Sequence, residues 1–497
     1  MAAARARRGP TARRAIAGAA AALACTACGG GCSVGPDFVA PTPPEVASYE
    51  PPVETQASTP PLSDEGSPRL ATGQTIAADW WTLFHSSDLD DTLRMAIGAS
   101  PTLAAARASL AQAREAIAEA QAGFFPTADV GAQAARHGSG HGGGASPAPF
   151  DVTGSAGYTI DLFGETRRSV EQQQALAENE RYGLAAAYLA LTGGSASEAI
   201  AIASLRAQLE TSEALIADDE RNLALVERQF EVGKVARADV LSAQTQLASD
   251  RTDVPVLRQE LSVARHALAA LVGQPTGAWS PPSFDLQDFT PPGELPLSLP
   301  SALAHQRPDI LAAEAQLHAA SAAIGVATAQ MYPSVTLSAD VSAGGAALDQ
   351  LFRGSSTAWS LAAGLTAPLL RGGALQARKE QAVQAFEVDR SRYQAIVLQA
   401  FQQVADTLSA LEHDEERAVA TRSALEASDA ALVLQRASYA SGKSNVLQLI
   451  DAERSHFQAR QGYVTTTAQR LQDTVDLFVA LGGAWWNVAD PDLSGSP

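Results

Sequence analysis

Apolar and polar positions along this chain follow two periods in alternation, and the whole succession occurs twice. Val335, Leu337, Ala339 and Val341 alternate with Thr336, Ser338, Asp340 and Ser342, and Trp359, Leu361, Ala363 and Leu365 alternate with Ser360, Ala362, Gly364 and Thr366. Earlier in the chain, Val152, Gly154, Ala156, Tyr158 and Ile160 alternate with Thr153, Ser155, Gly157 and Thr159. Thr127 to Ala134 is a weaker run of the same kind. A period of two sorts residues onto the two faces of a strand, so strands are predicted at about 127–134, 150–160, 334–343 and 358–367. Each is near the roughly 9–11 residues that cross a bilayer as a tilted strand. One face is apolar and uncharged and the other polar, as in a wall between lipid and water. A half-buried soluble hairpin shows the same alternation; two hairpins in register behind an export signal favour the membrane reading.

Outside these runs the period lengthens to that of helices. No proline occurs from about Thr166 to Phe230, and neither proline nor glycine from about Ala374 to Tyr439. At the α-helical rise each stretch would reach roughly 100 Å. A further helix is predicted in each half, over about Ala238–Leu271 and Val446–Leu481, reached through Gly233 and Gly442, where glycine permits a reversal. In the last helix Leu447, Ile450, Phe457, Val464, Leu471, Val475 and Phe478 form a narrow seam of coiled-coil spacing.

The halves correspond part for part. Ser100-Pro101-Thr102-Leu103 returns as Arg307-Pro308-Asp309-Ile310, Phe124-Phe125-Pro126 as Met331-Tyr332-Pro333, and Asp161-Leu162-Phe163 as Pro368-Leu369-Leu370. Val232-Gly233-Lys234 returns as Ser441-Gly442-Lys443. The nearly constant interval marks duplication of a helix–β-hairpin–long-helix-pair unit. The fold class is mainly α with a small transmembrane β part. The expected organisation is a signal peptide (1–31), a lipidated tether (32–78), repeat one (79–273, long helices about 166–272), a linker (274–298), repeat two (299–483, long helices about 374–482) and a C-terminal tail (484–497), polar and frayed from Asn487. Four strands do not close a barrel, and open strand edges are prohibitively costly in hydrocarbon. The chain must therefore self-associate if its strands span lipid.

Composition narrows the function. The net charge of −19 repels nucleic acid, so none is expected as a partner. Arg5, Arg7, Arg8, Arg13 and Arg14 precede the weakly apolar run Ala15 to Ala24, the layout of an export signal. Cys25, Cys28 and Cys32 lie just behind it and no other cysteine exists, so disulfides do not hold the mature body. Lipid attachment explains the cluster: Gly30-Gly31 before Cys32 suits a signal peptidase and favours Cys32, while Cys25 and Cys28 remain candidates.

Cys32-Ser33-Val34-Gly35-Pro36-Asp37-Phe38 and Trp80-Trp81-Thr82-Leu83-Phe84 resemble the start of NodT-type lipoproteins, which belong to the TolC-like outer-membrane factors. Phe124-Phe125-Pro126, Met331-Tyr332-Pro333 and the two Gly-Lys turns with Asp239-Val240-Leu241 and Leu449-Ile450-Asp451-Ala452 resemble further family motifs, over about Cys32 to Gly483. The resemblance implies a homotrimer whose α-barrel continues a 12-stranded outer-membrane β-barrel. It implies the exit duct of a tripartite small-molecule efflux pump, with a periplasmic adaptor and an inner-membrane transporter of the resistance-nodulation-division type as partners. An exit duct for type I protein secretion and a non-channel periplasmic scaffold are the alternatives.

The same resemblance places Asp451, with Gln448 beside it, at the periplasmic aperture. It places Gly233, Lys234, Gly442 and Lys443 at tips facing the adaptor. His137 and His141 flank glycines and read as a surface loop rather than a metal site. Glu412, Asp414, Glu415 and Glu416 read as a solvated helix face. No nucleophile, base and orienting group stand at a motif spacing, so no enzyme is expected, nor any cofactor or metal.

Overall fold

The structure, a computed structural model, describes residues 33–42, 69–72, 76–135, 150–297, 303–345 and 357–490, with residues 347, 349, 351, 492 and 493. In chain order the elements are β1 (Arg69–Thr72), a 3-10 turn at Trp80–Phe84, α1 (Ser87–Ala99), α2 (Pro101–Ala122), β2 (Thr127–Ala134) and β3 (Phe150–Ile160). Then follow α3 (Glu165–Glu231), α4 (Arg237–Asp250), α5 (Asp253–Leu271), β4 (Glu294–Leu297) and α6 (Pro308–Ala329). β5 (Ser334–Gly345), β6 (Thr357–Thr366), α7 (Ala374–Ala440) and α8 (Val446–Ala480) complete the second half. Both α3 and α7 are unbroken over 67 residues.

The helix expected over about Ala238–Leu271 is two helices. Pro255, in the first turn of α5, has no N–H to donate, and its ring crowds the carbonyl of Arg251, so the helix from Arg237 stops at Asp250. The second repeat has Val464 in the corresponding place and α8 runs through. The α8 seam is buried at Val464, Leu471, Val475 and Phe478, but Leu447 is exposed: the predicted stripe is covered only toward its C-terminal end.

The chain divides into two compact units. The first comprises residues 1–41, 111–179 and 314–392. It holds one antiparallel sheet of order β2-β3-β5-β6. The register aligns Asp129, Ser155, Asp340 and Ser360 in one cross-strand row. Adjacent to it, Val130, Gly154, Val341 and Trp359 form a row on the opposite face. Ser360 donates from its hydroxyl to Asp340 Oδ2 at 3.1 Å. Strands β2 and β6 are the sheet edges, and every residue of each is exposed.

The N-terminal segment of this unit is a docked strap. The Val34 amide donates to Phe163 O at 3.1 Å, Arg168 donates to Asp37 Oδ1 at 2.7 Å, and the Phe38 ring stacks on His318 at 4.4 Å between centroids. Gly35 sits at φ +100°, and a Cβ there would come within 2.5 Å of Gly325 Cα. A Gly35→Ala chain is expected to release the strap, seen as faster proteolysis ahead of residue 40, because left-handed strain and backbone overlap act together.

The second unit comprises residues 42–110, 180–313 and 393–497. Its core holds Trp80, Phe84, Phe478 and Trp485, fully enclosed, with Trp80 stacked on Phe478 at 5.1 Å. Within it β1 and β4 pair in parallel, Arg69 opposite Glu294. The tether and linker expectations missed this sheet because both runs are four residues long, and β4 contains Pro296. The tail expected to fray is fastened as far as Leu493. Asn487 donates to Ile76 O at 3.0 Å, Arg107 pairs with Asp490 at 3.0 Å, and Leu493 is buried.

Candidate functional site

The two helix reversals are built alike. After α3 the amide of Gly233 donates to Phe230 O (2.9 Å) and that of Lys234 to Gln229 O (2.8 Å). After α7, Gly442 donates to Tyr439 O (2.9 Å) and Lys443 to Ser438 O (2.9 Å). The glycines sit at φ 74° and 71°, the left-handed conformation that closes a helix C-terminus. All four residues are exposed. Gly442→Val should cost about 1–2 kcal/mol from its backbone alone, read as a lower unfolding midpoint; Gly442→Asn should cost markedly less.

The following helices start with side-chain caps. Asp239 Oδ2 accepts from the Ala236 amide at 2.9 Å. Asn445 accepts from the Gln448 amide at 2.9 Å while Gln448 Oε1 accepts from the Asn445 amide at 3.1 Å, a closed capping box. Gln448 is thus committed to the helix start. Asp451, one turn on, is exposed, and its backbone carbonyl accepts from Ser455 Oγ at 2.8 Å. Cys25, Cys28, Cys32, His137 and His141 lie outside the described residues.

Behind the reversals, polar side chains tie the two hairpins together. Gln229 of α3 donates to Tyr439 Oη of α7 at 2.8 Å, and Asn222 of α3 donates to Glu453 Oε2 of α8 at 2.5 Å. Arg436 of α7 bridges Asp218 of α3 (3.0 Å) and Glu453 (3.1 Å). Arg454 of α8 grips both oxygens of Asp250 at the end of α4, at 2.9 and 2.7 Å. Burial, and then the facing Asp250 carboxylate, push the Asp219 carboxyl up to about 7. A second carboxyl pair lies within the second hairpin, where burial and then Asp473 push Asp414 up to about 7. Asp414 is therefore a buried group and not part of a solvated face; burial follows from α8 packing over that side of α7, with Arg470 of α8 reaching Glu415 at 3.1 Å. Sequence reasoning missed these groups because their partners stand on another helix, some 200 residues away for Asn222 and Glu453.

The sheet shows the complementary chemistry. Val130, Val341, Trp359, Leu361 and Leu365 all lie on one face and are exposed, Trp359 at 79% and Leu361 at 75%. No charged residue occurs at the alternate positions of that face, whereas the other carries Asp129, Asp151 and Asp340. An uncharged, exposed apolar face of that breadth is unstable in water and suited to hydrocarbon. Helix α6 is long and apolar enough by composition to cross a membrane, but its apolar window is 56% buried within the protein.

A duplicated hairpin-and-coil chain with one lipid-suited sheet defines an outer-membrane channel, and comparison with known proteins gives the same class. The sequence profile of the outer membrane efflux protein family matches residues 92–274 and 299–483, and the chain belongs to that family. It is 30% identical over 429 residues to the pyoverdine export outer membrane protein OpmQ of Pseudomonas aeruginosa, covering 84% of this chain and 90% of that one. It is 28% identical over 473 residues to the toluene efflux pump outer membrane protein TtgF of Pseudomonas putida, covering 93% and 96%. The solved outer-membrane channel OprN superposes with a TM-score of 0.79 at 26% identity, over 91% of this chain and 100% of that one. The protein is an outer-membrane efflux channel with the α-helical barrel fold of the TolC-like factors.

Proposed function

We propose that three copies join β6 of one chain to β2 of the next, closing a twelve-stranded barrel in the outer membrane. The helices continue it as a helical barrel into the periplasm. The observation that carries this reading is the pair of unpaired edges flanking one uncharged, exposed apolar face. Head-to-tail joining of unlike edges makes a ring when the rotation closes, and closure leaves no strand edge in lipid. Cys32 carries the lipid; the docked strap supports this by fixing Ser33 against Gly164, beside the sheet. The turns at Gly233-Lys234 and Gly442-Lys443 meet the adaptor, and Asp451 lines the aperture, with Gln448 holding the helix start behind it. Behind the adaptor stands an inner-membrane transporter of the resistance-nodulation-division type. The cargo is small molecules such as drugs or other toxic compounds, chosen by that transporter.

The test is the full, acylated chain reconstituted in a planar bilayer. A trimeric, ion-conducting species is expected. A monodisperse monomer that conducts nothing would overturn the reading. In the conducting species Asp451→Asn is expected to lower the preference for cations over anions, because three carboxylates around one axis attract cations.

A further inference from the structure

One cluster, buried at Asp219 and Glu453, gathers groups from four helices. Four carboxylates, Asp218 and Asp219 of α3, Asp250 of α4 and Glu453 of α8, face three guanidiniums, Arg221 of α3, Arg436 of α7 and Arg454 of α8. Asp218 is satisfied by Arg221 and Arg436, Glu453 by Arg436 and Asn222, and Asp250 by Arg454 and by Gln246 Nε2 at 2.9 Å. The adjoining Glu220 and Arg251 pair with each other at 2.5 Å and add no net charge. Asp219 is the carboxylate left over. It is 7% exposed, its Oδ2 is buried with no donor, and the group it faces is another carboxylate, Asp250. Two carboxylates do not share a buried site unless a proton or a metal ion lies between them. Among the described residues no set of three His, Cys, Asp or Glu side chains is arranged to hold a metal.

We propose that Asp219 and Asp250 form a proton-operated catch between the two helical hairpins of each chain. While one proton is shared between them, Arg454 clamps α8 onto the end of α4. When the proton leaves, Asp219 becomes a buried charge without a cation, competes for Arg454, and the clamp loosens.

The sign follows from linkage. A solvated aspartate has lost its proton above its ordinary value of 3.8, whereas docked Asp219 holds it to about 7. Docking is therefore favoured as pH falls toward 4 and weakens as pH rises through about 7. Asp250 takes part as the acceptor of the shared proton. His456, one turn along α8 from Glu453, has a buried Nδ1 without a partner and serves as the control position on α8. The second carboxyl pair, Asp414 and Asp473, joins only α7 to α8, so its titration does not act on the clamp between hairpins.

The test measures the distance between genetically encoded spin labels at the exposed positions Ala248 (α4) and Gln458 (α8). The full chain is used, with one labelled copy per assembly, at about pH 6 and about pH 8.5, on either side of the switch. A reversible shift to longer distance at the higher pH is expected, with its midpoint near 7. Asp219→Asn, which keeps the shape and removes the charge, should hold the short distance at both. His456→Gln and Asp414→Asn should respond as the parent chain does. An unchanged distance in the parent chain, a response that survives in Asp219→Asn, or one lost in His456→Gln would overturn the catch. The readout is internal to one chain, so it stands or falls separately from the aperture and the channel.

Discussion

Leu361→Arg is expected to abolish assembly, while its neighbour Ala362→Arg leaves it nearly intact. Leu361 lies mid-strand in β6, 75% exposed, on the face with Trp359 and Leu365. An arginine facing lipid near the midplane of a barrel costs about 2–4 kcal/mol. In the proposed trimer three chains incur it together, so the penalty on a closed ring is about three times larger and rivals the net stability of an ordinary domain, about 5–15 kcal/mol. Ala362 alternates to the face that carries Ser360 and Thr366, where an arginine meets water and the Asp340 row. The measurement is the fraction of membrane-extracted protein that runs as an oligomer. Equal losses in the two variants would mean that the sheet is not a lipid–water wall.

Arg436→Ala is expected to raise basal conductance severalfold. Arg436 is half exposed, and its pairing with Asp218 alone would contribute little, since solvated ion pairs are worth about 0–1 kcal/mol. The weight lies with its other partner. Glu453 is 7% exposed and keeps only Asn222 once the guanidinium is gone. Leaving a buried acceptor under-satisfied costs about 1–3 kcal/mol, more for a charged one, roughly a 5- to 150-fold change in a hairpin–hairpin equilibrium. Glu453→Gln in the same chain should restore part of the loss, because a neutral amide needs no counter-ion. Unchanged single-channel conductance in Arg436→Ala would remove this network from any part in holding the duct narrow.

The architecture was legible where the signal is periodic and local. Strand alternation from Val335 to Val341 and from Trp359 to Leu365 needs no knowledge of partners, because a period of two is imposed by the pleat itself. The glycine reversals were equally local: one residue, one left-handed conformation. The break before α5 was also written locally, in Pro255, but it was outweighed by the long apolar pattern around it. What stayed hidden depends on pairing at a distance. Asp219, Asp250 and Arg454 each look like ordinary polar positions of an amphipathic helix, and only the packing of α3, α4 and α8 turns them into a charge imbalance. The parallel pairing of β1 with β4 was hidden for the same reason, with four residues on each side and a long interval between. Gln448 also closes a helix cap with Asn445, a role separate from the place at the aperture that the resemblance gives it.

The bare sheet edges have a consequence for how the protein is made. Neither β2 nor β6 contains a lysine or proline, the residues that usually blunt an open edge. A newly exported chain therefore travels with two adhesive flanks that recruit any extended peptide they meet. Until its sisters arrive it is an aggregation hazard, so synthesis beyond the capacity of periplasmic chaperones should yield β-rich deposits rather than idle, soluble single chains.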